Sequence, residues 1–95
     1  MKEAIEFQLV KGTFNLEEAK EVLFSLLNSK IKYHQQQAFS ISERNAGSIT
    51  YSENRIEELN QAREKVIQFM NQQFEEGNSV QINGIISIKV MQNHV

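Results

Sequence analysis

The chain has no cysteine, no proline, no tryptophan and no aspartate, and only four glycines in 95 residues. Without cysteine there are no disulfides, no thiolate nucleophile and no sulfur-ligated zinc, which fits a reducing compartment; the cytoplasm is the expected location. Without proline no helix or strand is interrupted by a missing N–H, and slow prolyl isomerisation is not expected to limit folding. All 12 acidic residues are glutamate, which keeps its rotamers in a helix, whereas aspartate competes for backbone groups and favours caps and turns. EF-hand loops, two-metal phosphoryl-transfer sites and Ser-His-Asp triads draw on aspartate, so those chemistries are disfavoured.

Long apolar runs are missing too. The densest, 22–31, contains Ser25, Asn28, Ser29 and Lys30, far short of the ~20 apolar residues that span a bilayer. Glu3 and Glu6 interrupt the start of the chain, so a signal peptide is not expected. The formal net charge is −2 and the pI near 5.7, leaving no excess of lysine and arginine to condense on phosphate. Neither a membrane nor nucleic acid is the expected partner. At this length the chain reads as one domain, 1–95, burying somewhat over ~60% of its extended surface.

Two long, glutamate-rich amphipathic patterns dominate what remains, flanked by strand-like segments. Ile5, Phe7 and Leu9 alternate with Glu6 and Gln8, the period of a half-buried strand over 4–11, which Gly12 should end. Asn15 stands three residues before Glu18, a capping-box spacing that starts a helix at Leu16 and carries it to 38. Its apolar residues, from Leu16 and Ala19 to Ile31 and Ala38, spread over roughly 200° of the helical wheel. The segment 39–50 collects Ser40, Ser42, Asn45, Gly47 and Ser48 and reads as the loop of a hairpin.

A second helix is predicted over 52–76, capped by Thr50 or Ser52, with Thr50 and Glu53 giving the better capping box and Gly77 ending it. Its apolar arc, from Ile56 to Phe74, is roughly 160° wide. Because the first helix leaves the end where the first strand arrives, and the second returns there, the first and last strands should pair antiparallel. In the last segment, 79–91, Asn83-Gly84 signals a hairpin. A three-residue loop with a bulge puts Val80, Ile86, Ile88 and Val90 on one face, and so does an unbroken strand; the hairpin is favoured, since three strands are a more stable minimum than two. The expected fold is α+β, β-α-α-β(β): a long antiparallel helical hairpin on a small antiparallel sheet.

Catalytic constellations are missing. His34 lies on the apolar stripe of the first helix, where an imidazole could titrate near neutrality or bind metal. No second histidine or cysteine stands at ligand spacing and His94 is in the tail, so a structural, hydrogen-bonded histidine is the expectation. A ligand cleft beside His34 and Tyr33 is a lesser alternative. Glu17 and Glu21, and Glu53 and Glu57, are spaced i, i+4, but the helices lack the Glu-x-x-His of bundle metal sites, so these read as solvated faces. There is no Gly-x-Ser-x-Gly elbow and no phosphate-cradling loop. No cofactor, metal or enzymatic activity is expected.

The run Phe74-Glu75-Glu76-Gly77-Asn78-Ser79-Val80-Gln81-Ile82-Asn83-Gly84-Ile85 resembles the helix-to-hairpin junction of histone-like nucleoid proteins, in which a helix, a glycine and a Val-x-Leu/Ile-x-Gly strand lead into a DNA-binding arm. The resemblance implies a nucleic-acid-binding domain, with Lys30, Lys32, Arg44, Arg55 and Arg63 around the helical hairpin as basic groups. The chain departs from the pattern at Ile86, where a second glycine is expected, and ends at Val95 with only Lys89 and His94 basic nearby.

The leading expectation is a non-catalytic interaction or scaffolding module, because two arcs this wide exceed what one small sheet covers. A homo-oligomer, first a dimer, or another protein would cover the excess. The candidate interaction surface is Leu23, Leu27, Ile31, His34, Leu59, Val66 and Met70.

Overall fold

The computed structural model describes residues 3–44, 47–72 and 77–92. Its elements are strand β1 (Ala4–Asn15), helix α1 (Leu16–Arg44), helix α2 (Thr50–Gln72) and strand β2 (Ser79–Lys89). The fold is α+β in the expected order β-α-α-β, with the first and last strands paired antiparallel.

The start of α1 is fixed by a closed capping box. The Glu18 N–H donates to Asn15 Oδ1 at 2.8 Å, and the Asn15 N–H donates back to Glu18 Oε1 at 3.3 Å. Two N–H groups that the helix leaves orphaned are thereby satisfied, and Glu17 and Glu18 place negative charge on the positive end of the dipole.

The expected loop over 39–50 is corrected, because α1 continues to Arg44. Phe39 hid the continuation, being exposed itself, while Ala38 and Ile41 beyond it carry on the spacing of Ile31 and His34 and are half-buried. Nothing between 39 and 44 breaks a helix, since serine only weakly disfavours one. The expected cap of α2 also changes. The Ile49 carbonyl accepts from the Glu53 N–H at 2.9 Å, and Ser48 Oγ accepts from the Thr50 N–H at 3.1 Å while donating to Thr50 Oγ1 at 2.8 Å. Thr50 is therefore inside the helix, and Ser52 is buried in its first turn. The predicted end of α2 falls in 73–76, outside the described residues. Gly77 beyond it has φ +90°, a left-handed conformation suited to glycine.

The sheet has two strands, and the hairpin favoured for 79–91 is corrected to one unbroken strand, β2. Asn83 and Gly84 continue the ladder opposite Lys11 and Val10; β1 already pairs with this strand along its length, so nothing makes the chain turn back. β1 likewise passes through Gly12, the expected terminator, to Asn15. A Cβ on Gly12 would lie 3.4 Å from the Phe14 ring, so glycine there makes room for the ring.

The register contains one irregularity. Ile5 pairs with Ile88 and Phe7 with Ile86, but Val10 pairs with Gly84, leaving Leu9 as an extra residue in β1. The bulge reverses the alternation, so Ile5 and Phe7 share a face with Val10, Gly12 and Phe14, opposite Val80, Ile82, Gly84, Ile86 and Ile88. The helix-proximal half of this face packs on the core formed by Leu16, Ala19 and Met70, through Phe14, Val80 and Ile82. The distal half does not reach the helices.

The molecule measures 55 × 39 × 15 Å with a radius of gyration of 17.3 Å, against about 12 Å for a compact chain of this length. A strand of 12 residues is about 40 Å long, so the ribbon extends beyond the helix ends that pack on its proximal half. Asn15→Ala removes one side of the capping box and is expected to lower stability by about 1 kcal/mol, with Asn15→Asp near wild type. The urea midpoint measures both, and equal loss in the two variants would show that the cap is not what the side chain supplies.

Candidate interaction surface

Along α1 one stripe of buried and half-buried positions runs through Leu16, Ala19, Leu23, Leu27, Ile31, His34, Ala38 and Ile41, steps of three and four residues. Along α2 the facing stripe includes Ser52, Ile56, Leu59, Ala62, Val66 and Met70. The helices run antiparallel, with Leu16 and Ala19 meeting Met70 at one end and His34 meeting Tyr51 at the other.

All seven residues of the predicted interaction surface lie on this seam. Ile31, His34 and Met70 are buried, and Leu23, Leu27, Leu59 and Val66 are half-buried. Leu23 and Val66 also pack against the core beside the ribbon. The chain itself covers these positions in part, because each wide arc contributes one stripe to the partner helix, while Leu23, Val66 and Met70 also line a groove.

His34 is 2% exposed, and neither Nδ1 nor Nε2 has a hydrogen-bond partner. The expected hydrogen-bonded histidine is thus corrected to a buried, unsatisfied one. Its neighbours are aromatic edges, with the Tyr33 ring centroid 5.2 Å away at 71° and the Tyr51 ring 6.1 Å away at 74°. Tyr33 turns outward, accepting from Gln37 Nε2 at 2.9 Å with Lys30 Nζ 4.4 Å from its ring. A groove of about 640 Å³ follows one face of α2 from Glu53 to Gln68, and one of about 350 Å³ lies between α2 and β2; His34 lines neither.

Glu17, Glu21, Glu53 and Glu57 are all exposed. Among the described residues no three metal-ligating side chains converge, and no helix is long and apolar enough to cross a membrane. His94 lies outside the described residues. Of the basic groups, Arg55 pairs with Glu58, while Arg63 donates to Asn28 Oδ1 at 3.4 Å and lies 5.9 Å from the Phe24 ring. In the segment resembling nucleoid-protein junctions, 74–76 lie outside the described residues and no arm follows Gly84, since β2 runs straight to Lys89.

Uncovered apolar surface remains on the helices, at Leu26, Phe39, Tyr51 and Phe69, and also on the ribbon, where it was not expected. Ile5 is 54% exposed, Phe7 45%, Ile86 38% and Ile88 48%, all on one face. The alternation of Ile5 with Phe7 and of Ile86 with Ile88 was legible; that only the half with Phe14, Val80 and Ile82 would meet the helices was not. Beside this face the groove between α2 and β2 is lined by Leu23, Val66, Phe69, Met70, Val80 and Ile82, among others. No protein-family model matches the chain, and neither a curated protein nor a solved structure matches it.

His34→Leu replaces an orphaned imidazole with an apolar side chain of similar size and is expected to raise stability by about 1–2 kcal/mol. Ile31→Ala, one turn away, should lower it by about 2–4 kcal/mol. Chemical denaturation of both variants checks the pair, and a destabilised His34→Leu would mean that the imidazole has a polar partner in solution.

Proposed function

We propose that the protein is a non-catalytic, self-associating scaffolding module. The observation that carries this reading is the imbalance between surface and interior. The chain exposes 8028 Å², where a globular protein of 11.0 kDa exposes about 5,600 Å². Among the described residues only four hydrophobic side chains are buried: Leu16, Ala19, Ile31 and Met70.

A two-stranded ribbon is marginal on its own in water, and here half of its apolar face has nothing against it. The excess of roughly 2,400 Å² per chain is of the size that obligate homodimers bury. The charges favour a protein partner over a polyanion: the net charge is −2, and Arg55, Arg63 and Lys30 are engaged within the chain.

Sedimentation equilibrium should give a mass of twice 11.0 kDa at micromolar concentration. Thermal unfolding should shift upward with concentration, by the equivalent of about 1.4 kcal/mol per tenfold for a folded dimer and unfolded monomers. A constant monomer mass with concentration-independent, cooperative unfolding would overturn the reading.

A further inference from the structure

We infer that two copies of the chain join through the free edge of β2, which pairs antiparallel with the same strand of the second copy about a two-fold axis at Gly84. One four-stranded sheet results, in the order β1-β2-β2-β1. This rests on the self-association proposed above and names its interface. Each strand of the ribbon has an edge that meets no third strand among the described residues, and the two edges differ. β1 carries Glu6, Lys11 and the bulge at Leu9, devices that keep an edge from pairing. β2 has no charge from Ser79 to Ile88, no proline and no extra residue. An exposed apolar edge of this length is a template for another strand.

The residues of β2 say which strand. In full antiparallel overlap with itself, Ser79 opposite the partner's Lys89, the apolar residues are spaced symmetrically about Gly84, which becomes its own partner. Val80 then stands opposite the partner's Ile88, and Ile82 opposite the partner's Ile86, all on the helix-facing side. On the other side Gln81 meets the partner's Ser87 and Asn83 the partner's Ile85. Ile85, 50% exposed, comes within diagonal reach of the partner's Ile85.

The same axis brings a cover to the part of the sheet that the helices leave open. It stands perpendicular to the sheet, so both apolar faces lie on one side and the two helical hairpins at opposite ends. The uncovered Ile86 and Ile88 of each copy come to lie beside Val80 and Ile82 of the other, with no need to displace the helices packed there. The groove of about 350 Å³ between α2 and β2 opens at this edge, since Gln81 and Asn83 line it as well as Val80 and Ile82, and no residue of β1 does. Its α2 wall includes Phe69, 54% exposed, which closes over the partner's Ile86 and Ile88. Because only the β2 edge is unguarded, the contact is isologous and ends at two copies.

Gln81 and Ser87 test the register, because both are exposed and point away from the helices. Within one chain they stand opposite Thr13 and Glu6, so lysine at either position leaves the ribbon intact. In the full-length chain Gln81→Lys with Ser87→Lys sets like charges against each other twice across the axis, and should raise the dimer dissociation constant at least about tenfold. Gln81→Glu with Ser87→Lys sets opposite charges there and should bind within about threefold of wild type or more tightly. If wild type dimerises and the two double variants dimerise equally well, the edge is wrong while self-association stands. If wild type is a monomer at every concentration, both fail.

Cross-linking supplies a second readout. The chain has no cysteine, so Gly84→Cys and Gln8→Cys each carry a unique thiol, and a Cβ at position 84 meets only ordinary contact, 3.7 Å from Val10. Across the axis the two copies of position 84 are directly opposed, about 5 Å apart between Cα atoms, within the span of a disulfide. Position 8, opposite Ile85 on β1, is separated from its copy by three strand spacings, about 14 Å. Mild oxidation should therefore link two copies through 84 and not through 8. Equal yields at the two positions, or none at 84, would overturn the assignment.

Discussion

The antiparallel pairing of the first strand with the last is the interaction on which the rest of the structure depends. It joins residues at opposite ends of the sequence, from Ala4 with Lys89 to Asn15 with Ser79, and so fixes where α1 begins and brings the chain back from α2 to the same end. Only with both helix ends there can Leu16 and Ala19 meet Met70 and have Val80 and Ile82 close over them. The rest of the seam is a helical hairpin with short separations along the chain. The ribbon is the non-local part of the fold, and its closure entropy must be offset by contacts that only half of its face makes within one chain.

Much of this was legible in residue chemistry. Asn15 and Glu18 announced the capping box they form, the alternation of β1 was visible at Ile5 and Phe7 although the bulge takes Leu9 out of it, and the order β-α-α-β followed from two helices that must return to one end. Where the reading failed, a local signal lost to its tertiary setting. Asn83-Gly84 has the chemistry of a turn, but a strand already paired across it has no need of one. Phe39 broke an apolar stripe that Ile41 resumes. Gly12 resembled a terminator, but β1 continues through it to Asn15. Which apolar residues stay uncovered was the least legible feature, because an arc of apolar residues does not say which part the neighbouring helix covers.

His34 bears on the same balance from inside. Desolvating an imidazole with neither nitrogen partnered costs about as much as burying one leucine side chain gains. The seam has few such side chains to set against it, since Leu23, Leu27, Leu59 and Val66 are only half-buried. The tyrosine edges on either side give weak contacts compared with a hydrogen bond. Within a single chain the hairpin is thus held by one stripe with a polar defect near its far end, and the better-packed end is the one that touches the ribbon.

The bulge at Leu9 connects this thin interior to the association proposed for the chain. Strand side chains alternate with period two, so without the extra residue Ile5 and Phe7 would face away from Val10, Gly12 and Phe14. Ile86 and Ile88 would then stand opposite Glu6 and Gln8 rather than their present apolar partners. Both faces of the ribbon would be mixed, and the face carrying Val10, Phe14, Ile86 and Ile88 could not be covered without burying the Glu6 carboxylate. One inserted residue instead leaves Ile85 on the opposite face and puts Ile5, Phe7, Ile86 and Ile88 on the same face as Val10, Phe14, Val80 and Ile82. The helix-proximal half of that face becomes core, and the distal half becomes surface. The bulge therefore decides how much of the ribbon's apolar surface the helices of one chain can reach.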